Sequence, residues 1–206
     1  MTKPFRSDDD DDMTGGAEPE PKVITTRDGK PVMMDIPTRL LSERIVWFGE
    51  EVNNRSANRC VRQLTYLALE DAKKPITLYL NSPGGSIVDG MAIYDTIRRS
   101  PAPVHCIVAG MAASMGAIIL SGCAKGHRRI LKHGEVLLHQ PLGGARGQAT
   151  DVEISAKRIL KMKEMLLKIL ADNCGQPYEK VAEDCDRDYW LDADEAKAYG
   201  IVDEVL

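Results

Sequence analysis

Four short segments of this chain bring together residue types that can do chemistry. Gly110-Met111-Ala112-Ala113-Ser114-Met115-Gly116-Ala117 sets a serine among small residues, at a point where an apolar strand gives way to a helix. A serine so placed is exposed at a helix N-terminus, as in a nucleophile elbow, although Ala112 stands where GxSxG has its first glycine. The plain alternative is an N-capping serine. Asn81-Ser82-Pro83-Gly84-Gly85-Ser86 follows another strand. Without a Cβ, the Gly-Gly backbone can approach a ligand closely, and its N–H groups suit a phosphate or an oxyanion; many such segments are only turns. His139 ends the run Leu137-Leu138-His139-Gln140-Pro141. Strand ends are where α/β proteins place functional groups, though a histidine there can also be structural. Asp184, Asp186 and Asp188 surround Arg187 ahead of Tyr189-Trp190-Leu191, where local salt bridges are the bland reading and Trp-Leu reads as buried. A serine nucleophile needs a base, and the base an orienting carboxylate. The chain supplies the three types in the order Ser, His, Asp. Spacing alone leaves open whether they meet and which aspartate serves.

The elements that must position these groups follow from periodicity. Val23–Met34 reads as a hairpin turning at Arg27-Asp28-Gly29-Lys30. Strands are expected at Ile45–Phe48, Ile76–Leu80, Val104–Ala109, Arg128–Leu131, Glu135–Leu138 and Ile201–Leu206. Helices are expected at Ser56–Glu70, Ile87–Arg99, Ser114–Cys123 and Thr150–Asn173, with a short one after Asp192. Thr150-x-x-Glu153 and Asp192-x-x-Glu195 read as capping boxes. Short apolar strands alternating with helices predict an α/β domain with a largely parallel sheet. The long helix carries Val152, Ala156, Ile159, Met162, Leu166 and Ile169 at helical spacing, widened by Leu160, Leu167 and Leu170. It must pack on its own domain or on another subunit.

Composition narrows the classes. The chain has 206 residues, 43% of them apolar and 28% charged, as in a globular domain. Its net charge of −4 lies entirely in residues 1–22, where Asp8 to Asp12, Glu18 and Glu20 outweigh Lys3, Arg6 and Lys22. The remainder is balanced, which argues against nucleic acid or an acidic membrane as partner. Residues 1–22 read as a disordered acidic tail. Lys125, His127, Arg128, Arg129, Lys132 and His133 form the one basic cluster, read as a solvated loop and edge strand. Five scattered cysteines in no CxxC pattern suit a reducing compartment better than disulfides or zinc. There is no apolar run long enough to span a bilayer and no secretory signal at the N-terminus.

Taken together, these segments closely resemble the Clp protease proteolytic subunit family (ClpP). The likeness runs from Ile36 to Val205. It includes Ile36-Pro-Thr-Arg-Leu-Leu-Ser-Glu-Arg44, Tyr79-Leu-Asn-Ser-Pro-Gly-Gly85, Ile93-Tyr-Asp-Thr96, the Gly110–Ala117 segment and His139-Gln-Pro-Leu-Gly-Gly144. It continues through Gly147-Gln-Ala-Thr-Asp151, Asp186-Arg-Asp188 and Glu195-Ala-x-x-Tyr-Gly-Ile-Val-Asp203. The resemblance implies an α/β, crotonase-like fold of stacked ββα units, with an N-terminal axial hairpin over 23–35 and a handle containing helix 150–173. It implies Ser114 as nucleophile, His139 as general base, Asp188 as orienting carboxylate, and the backbone N–H groups of Gly85 and Met115 as oxyanion hole. No cofactor or metal is implied. It further implies a cytoplasmic barrel of two stacked heptameric rings, fed unfolded polypeptide by an AAA+ unfoldase of the ClpX, ClpA or ClpC type. Gly143 to Gln148 would lie near the ring–ring contact, with Arg187 coupling assembly to the site. Two departures bear on the unfoldase: Glu18-Pro-Glu-Pro-Lys-Val-Ile replaces the usual apolar N-terminal stretch, and Thr77 stands where the family often has an aromatic. Competing readings are a noncatalytic ring subunit, a viral capsid-maturation protease, and an acyl-CoA enzyme of the crotonase fold, in which a serine elbow would be idle.

Overall fold

The computed structural model describes residues 21–206 except 28, 143 and 145. Residues 1–20 of the expected acidic tail, with Gly143 and Ala145 of the loop after His139, lie outside the described residues; Lys22, expected in the tail, instead opens the first strand. The chain divides into one unit up to Arg39 and a second from Leu40 to Leu206. The first holds an antiparallel hairpin, β1 (Lys22–Arg27) and β2 (Lys30–Asp35), in register from Lys22↔Asp35 to Arg27↔Lys30. Gly29 supplies the positive φ (75°) that its turn needs. The expected hairpin is therefore present. A helix, α1 (Ile36–Ser42), follows it; periodicity does not predict these two turns.

The second unit is built on β3 (Ile45–Phe48), β4 (Ile76–Ser82), β5 (Val104–Ala113), β6 (Arg128–Ile130) and β9 (Glu204–Val205), hydrogen-bonded in that order and all parallel. β7 (Glu135–Leu138) pairs parallel with the far end of β5, and β8 (Tyr189–Leu191) pairs antiparallel with β7. β5 thus serves two neighbours: Cys106–Val108 faces β6, and Met111–Ala113 faces β7. It runs four residues past the expected Ala109, because Gly110 takes φ 110° and the Asn81 side-chain oxygen accepts the Met111 N–H at 3.1 Å. The strand bends there instead of ending, and so reaches the serine segment.

One face of the sheet is packed by α2 (Asn54–Glu70), α3 (Ile87–Arg99), α4 (Met115–Ser121) and the C-terminal half of α5 (Ala149–Cys174). Val46, Phe48, Leu78, Leu80, Cys106, Val108 and Ile130 point into that layer and are buried. α2 opens on a reciprocal capping box between Asn53 and Ser56. It buries Ala57, Cys60, Leu64, Leu67 and Ala68 along one face. The opposite sheet face carries Trp47 stacked on Tyr79, with centroids 5.5 Å apart, and His105 stacked on His127 at 4.0 Å. α6 (Tyr178–Asp184) and α7 (Ala193–Tyr199) complete the unit, α7 opening on the expected Asp192–Glu195 capping box.

Several expectations need correction. α5 begins at Ala149 with Gln148 at its cap and no side-chain capping bond. Thr150 and Glu153 therefore lie inside the helix; Glu153 instead pairs with Lys157 at 2.6 Å, one turn on. The last strand is only Glu204–Val205; Ile201 and Val202 are buried loop residues. Trp190 is half exposed, because residues alternate across β8 and it is Leu191 that faces the core. The basic cluster is neither solvated throughout nor on an edge strand. β6 lies between β5 and β9, and Arg128 is buried. Its guanidinium donates to Asp203 Oδ2 at 3.0 Å and Oδ1 at 2.5 Å, and to the Asn173 carbonyl at 3.0 Å. Burial pushes the Asp203 carboxyl up, but the Arg128 bonds outweigh it and hold the group below the ordinary carboxylate range.

This pair ties the end of α5 to the last strand. Asp203→Asn leaves a buried guanidinium unpaired and is expected to cost about 3 kcal/mol, read as a lower urea midpoint. Because the folded pKa is depressed, the pair's contribution is complete above about pH 4 and drains as pH falls through the lower folded value. The wild type–variant stability gap should narrow on acidification; a gap constant from pH 7 to 3 would remove the ion pair from the account.

Candidate active site

The elbow is made by β5 and α4. Ser114 sits between them with φ 55° and ψ −118°, one of two non-glycine residues with positive φ among those described. Such a conformation is strained for a side chain with a Cβ and persists only where its surroundings enforce it. They do so here: the Ser114 N–H donates to the Leu137 carbonyl at 2.9 Å, locking it to β7. The Ser114 side chain makes no capping bond to α4, so the N-cap alternative fails. α4 is buried along its whole length, which leaves the half-buried Ser114 as the point where this strand–helix turn meets the surface.

The Gly84–Gly85 turn lies against this elbow. Gly84 has φ 92° and Gly85 φ 139°. The Ser82 hydroxyl donates to Glu50 O at 2.7 Å and accepts the Gly84 N–H at 3.2 Å. Val52 N–H donates to Gly84 O, and Ser86 N–H to Val52 O, each at 2.7 Å. A Cβ on Gly85 would run into the Val52 carbonyl. The turn is therefore pinned on both sides, and only glycine fits. Neither the Gly85 nor the Met115 N–H is bonded to an acceptor among the described residues.

Ser114, Met115, Gly85 and His139 line one cleft of about 300 Å³. Its other walls are apolar: Ile87, Ile118, Leu138 and Leu142, with Leu166, Leu167 and Leu170 of α5 across from them. The C-terminal half of the long helix thus packs on its own domain. Its other half leaves Val152, Ile154 and Leu160 exposed, the last two by 61% and 65%.

His139 follows β7 and Asp188 precedes β8. The last registered pair of these strands is Leu138↔Tyr189, so His139 and Asp188 are the next residues out on facing strands. They are not hydrogen-bonded. His139 Nδ1 is 2.6 Å from the Gln140 carbonyl, which can only accept, so this contact requires Nδ1–H and leaves Nε2 as the nitrogen available to a serine hydroxyl. Asp188 is exposed and carries no hydrogen bond among the described residues. Of the candidate residues, Ser114, His139, Gly85 and Met115 line one cleft, without a hydrogen bond between Ser114 and His139; Asp188 lies at the facing strand end and is not bonded to His139. Asp184 instead accepts from Tyr199 and Lys180, at 2.9 and 2.6 Å. Arg187 is solvent-exposed, its nearest carboxylate the adjacent Asp186 at 3.9 Å.

One participant has no signal in the sequence. Gln140 uses every polar group it has. Its N–H donates to Cys185 O at 2.6 Å, its carbonyl holds His139, Nε2 donates to Asp186 O at 2.9 Å, and Oε1 accepts from Lys163 of α5 at 2.7 Å. Within the HQP run it looks like an ordinary polar residue beside the histidine. The five cysteines are free and buried; burial pushes the Cys60 and Cys185 thiols up to about 12, so they stay protonated. Among the described residues no cluster of ligating side chains could hold a metal, and no helix is long and apolar enough to cross a membrane.

Comparison with known proteins agrees with this architecture. The Clp protease family model matches residues 28–206. The ATP-dependent Clp protease proteolytic subunit 2 of Bacillus licheniformis is 54% identical over 172 residues, covering 84% of this chain and 90% of the relative. The chain therefore belongs to the Clp protease family and is a serine peptidase with that family's α/β fold.

Proposed function

We propose that the chain is the serine endopeptidase subunit of a self-compartmentalised barrel, cleaving unfolded polypeptide through Ser114, His139 and Asp188. The observation that carries this is Ser114 itself: a strained serine at a strand–helix elbow, sharing one cleft with His139 and two unbonded N–H groups. His139 Nε2 takes the Ser114 proton as the hydroxyl attacks the scissile carbonyl. The N–H groups of Gly85 and Met115 receive the developing oxyanion. His139 then passes the proton to the leaving amine. Water, activated by the same imidazole, cleaves the acyl-enzyme. Asp188 stabilises the imidazolium once its carboxylate takes the Nδ1–H from the Gln140 carbonyl. No metal or cofactor enters. The apolar cleft walls favour substrates with an apolar side chain next to the cut bond.

Assembly is supported by the exposed apolar half of α5, a face suited to burial against further copies in two stacked heptameric rings. The relative's name includes "ATP-dependent"; we extend this to an AAA+ partner that feeds the barrel, with Thr77 beside Tyr79 altering the surface it would use. Buried free thiols fit a cytoplasmic setting.

A noncatalytic ring subunit is favoured by the open triad: neither a Ser114–His139 nor a His139–Asp188 hydrogen bond is formed among the described residues. Fluorophosphonate labelling separates the two readings. One adduct per subunit, mapped to Ser114 and absent in Ser114→Ala, is the expected result. Folded, assembled protein that takes up no label would overturn the peptidase reading in favour of the scaffold.

A further inference from the structure

We infer that Gln140 and Lys163 are positioning residues for the catalytic groups, a clamp that holds the Asp188-bearing loop in register with the His139-bearing strand; the inference rests on the peptidase reading above. His139 and Asp188 lie far apart in sequence, and β8, which aligns them, is only three residues long. Its register stops at Leu138↔Tyr189, one residue short of the pair that must meet. Beyond that point Gln140 bridges the gap. Its backbone N–H reaches Cys185 O at 2.6 Å and its Nε2 reaches Asp186 O at 2.9 Å, with Asp186 Oδ1 at 3.4 Å. The loop leading to Asp188 is thereby tied to the residue next to His139.

Lys163 decides which way the Gln140 amide points. An amide has one accepting and one donating end, and an ammonium only donates. Lys163 Nζ lies 2.7 Å from Oε1, so Nε2 must turn to Asp186. Without the ammonium, Oε1 loses its donor, and the amide is held from the Asp186 side alone, no longer tied to α5. The clamp also anchors α5, which supplies Leu166, Leu167 and Leu170 to the same cleft. A shift in that helix is therefore felt at His139 through one side chain.

The test uses the assembled full-length protein and a short fluorogenic peptide, with kcat normalised to serines titrated by fluorophosphonate. Lys163→Met keeps the apolar stem and removes the donor. It should lower kcat about tenfold and leave KM within twofold, since the apolar walls that bind substrate are intact. Lys163→Arg restores a donor and should recover most of kcat; a purely structural loss of the aliphatic stem would not follow this order. Gln140→Glu keeps the acceptor for Lys163 but turns a carboxylate oxygen on Asp186, and should lose more than Lys163→Met. Unchanged kcat in Lys163→Met, or a loss in KM alone, overturns the clamp. Wild-type protein that fails to label at Ser114 overturns the peptidase reading and the clamp with it, whereas labelled wild type with an indifferent Lys163→Met overturns the clamp alone.

Discussion

Ser114→Ala is expected to lower hydrolysis of a short peptide on the order of 10⁴- to 10⁶-fold, to the level set by binding and the oxyanion donors alone. The loss is kinetic rather than structural. Ser114 holds its place through its backbone N–H on Leu137 O, and its hydroxyl caps nothing. Removing Oγ therefore leaves no buried group unsatisfied. Alanine meets the same backbone strain at φ 55° that serine already tolerates. The thermal midpoint and sedimentation of the variant should match wild type, and kcat should collapse without a matching change in substrate binding. Undiminished turnover in purified Ser114→Ala would place the nucleophile elsewhere and dissolve the triad. A variant inactive because it no longer assembles would separate from this outcome by its sedimentation, since the catalytic account predicts full assembly.

The elbow was legible because its grammar is local. An apolar strand, a glycine, a run of small residues and a serine occur in one stretch, and sterics over those few residues dictate the turn. α2, α3 and the inner strands were equally plain, since their apolar spacing is answered directly by the layer they pack in. The contacts that complete the site are of another kind. That His139 and Asp188 fall at adjoining strand ends depends on an antiparallel pairing of β7 and β8, and nothing near either residue specifies the other. α6 and β8 flank the Asp184–Asp188 run, whose bland reading is local salt bridges; they form because Val181, Cys185 and Leu191 find the core. Arg128 misleads for the same reason. Beside Lys125 and Arg129 it looks solvated, and only the return of the chain at Asp203 gives it a partner that makes burial tolerable. At Thr150 the capping-box pattern is present, but the helix starts one residue earlier, and Glu153 is drawn to Lys157.

Gly84 offers the sharpest test of the proposed oxyanion hole. A Cβ there would stand 2.6 Å from Ser114 Cβ, 2.7 Å from Ala113 O and 2.9 Å from Met115 N. All three atoms are backbone or fixed by it, so none can rotate away. Gly84 also has φ 92°, where an L residue is strained in any case. Gly84→Ala must push the Gly85 turn and the Ser114 elbow apart. The two N–H groups proposed to hold the oxyanion sit on opposite sides of that seam, so they cannot both keep their aim. Losing one such donor costs roughly 3–4 kcal/mol. We expect kcat/KM to fall by on the order of 10³. Fluorophosphonate labelling should slow in parallel, because the phosphonyl oxygen in that reaction uses the same donors. Gly126→Ala is the control: it has a comparable φ of 87° but open space around its Cβ, and it does not line the cleft. It should lose stability and keep its kinetics. If Gly84→Ala keeps its kinetics too, the seam between Gly85 and Met115 does not hold the oxyanion, and the donors must be sought elsewhere along the cleft. If both variants lose activity in proportion to stability, general strain accounts for the loss. Only a kinetic loss confined to Gly84 ties the geometry of that turn to the chemistry of Ser114.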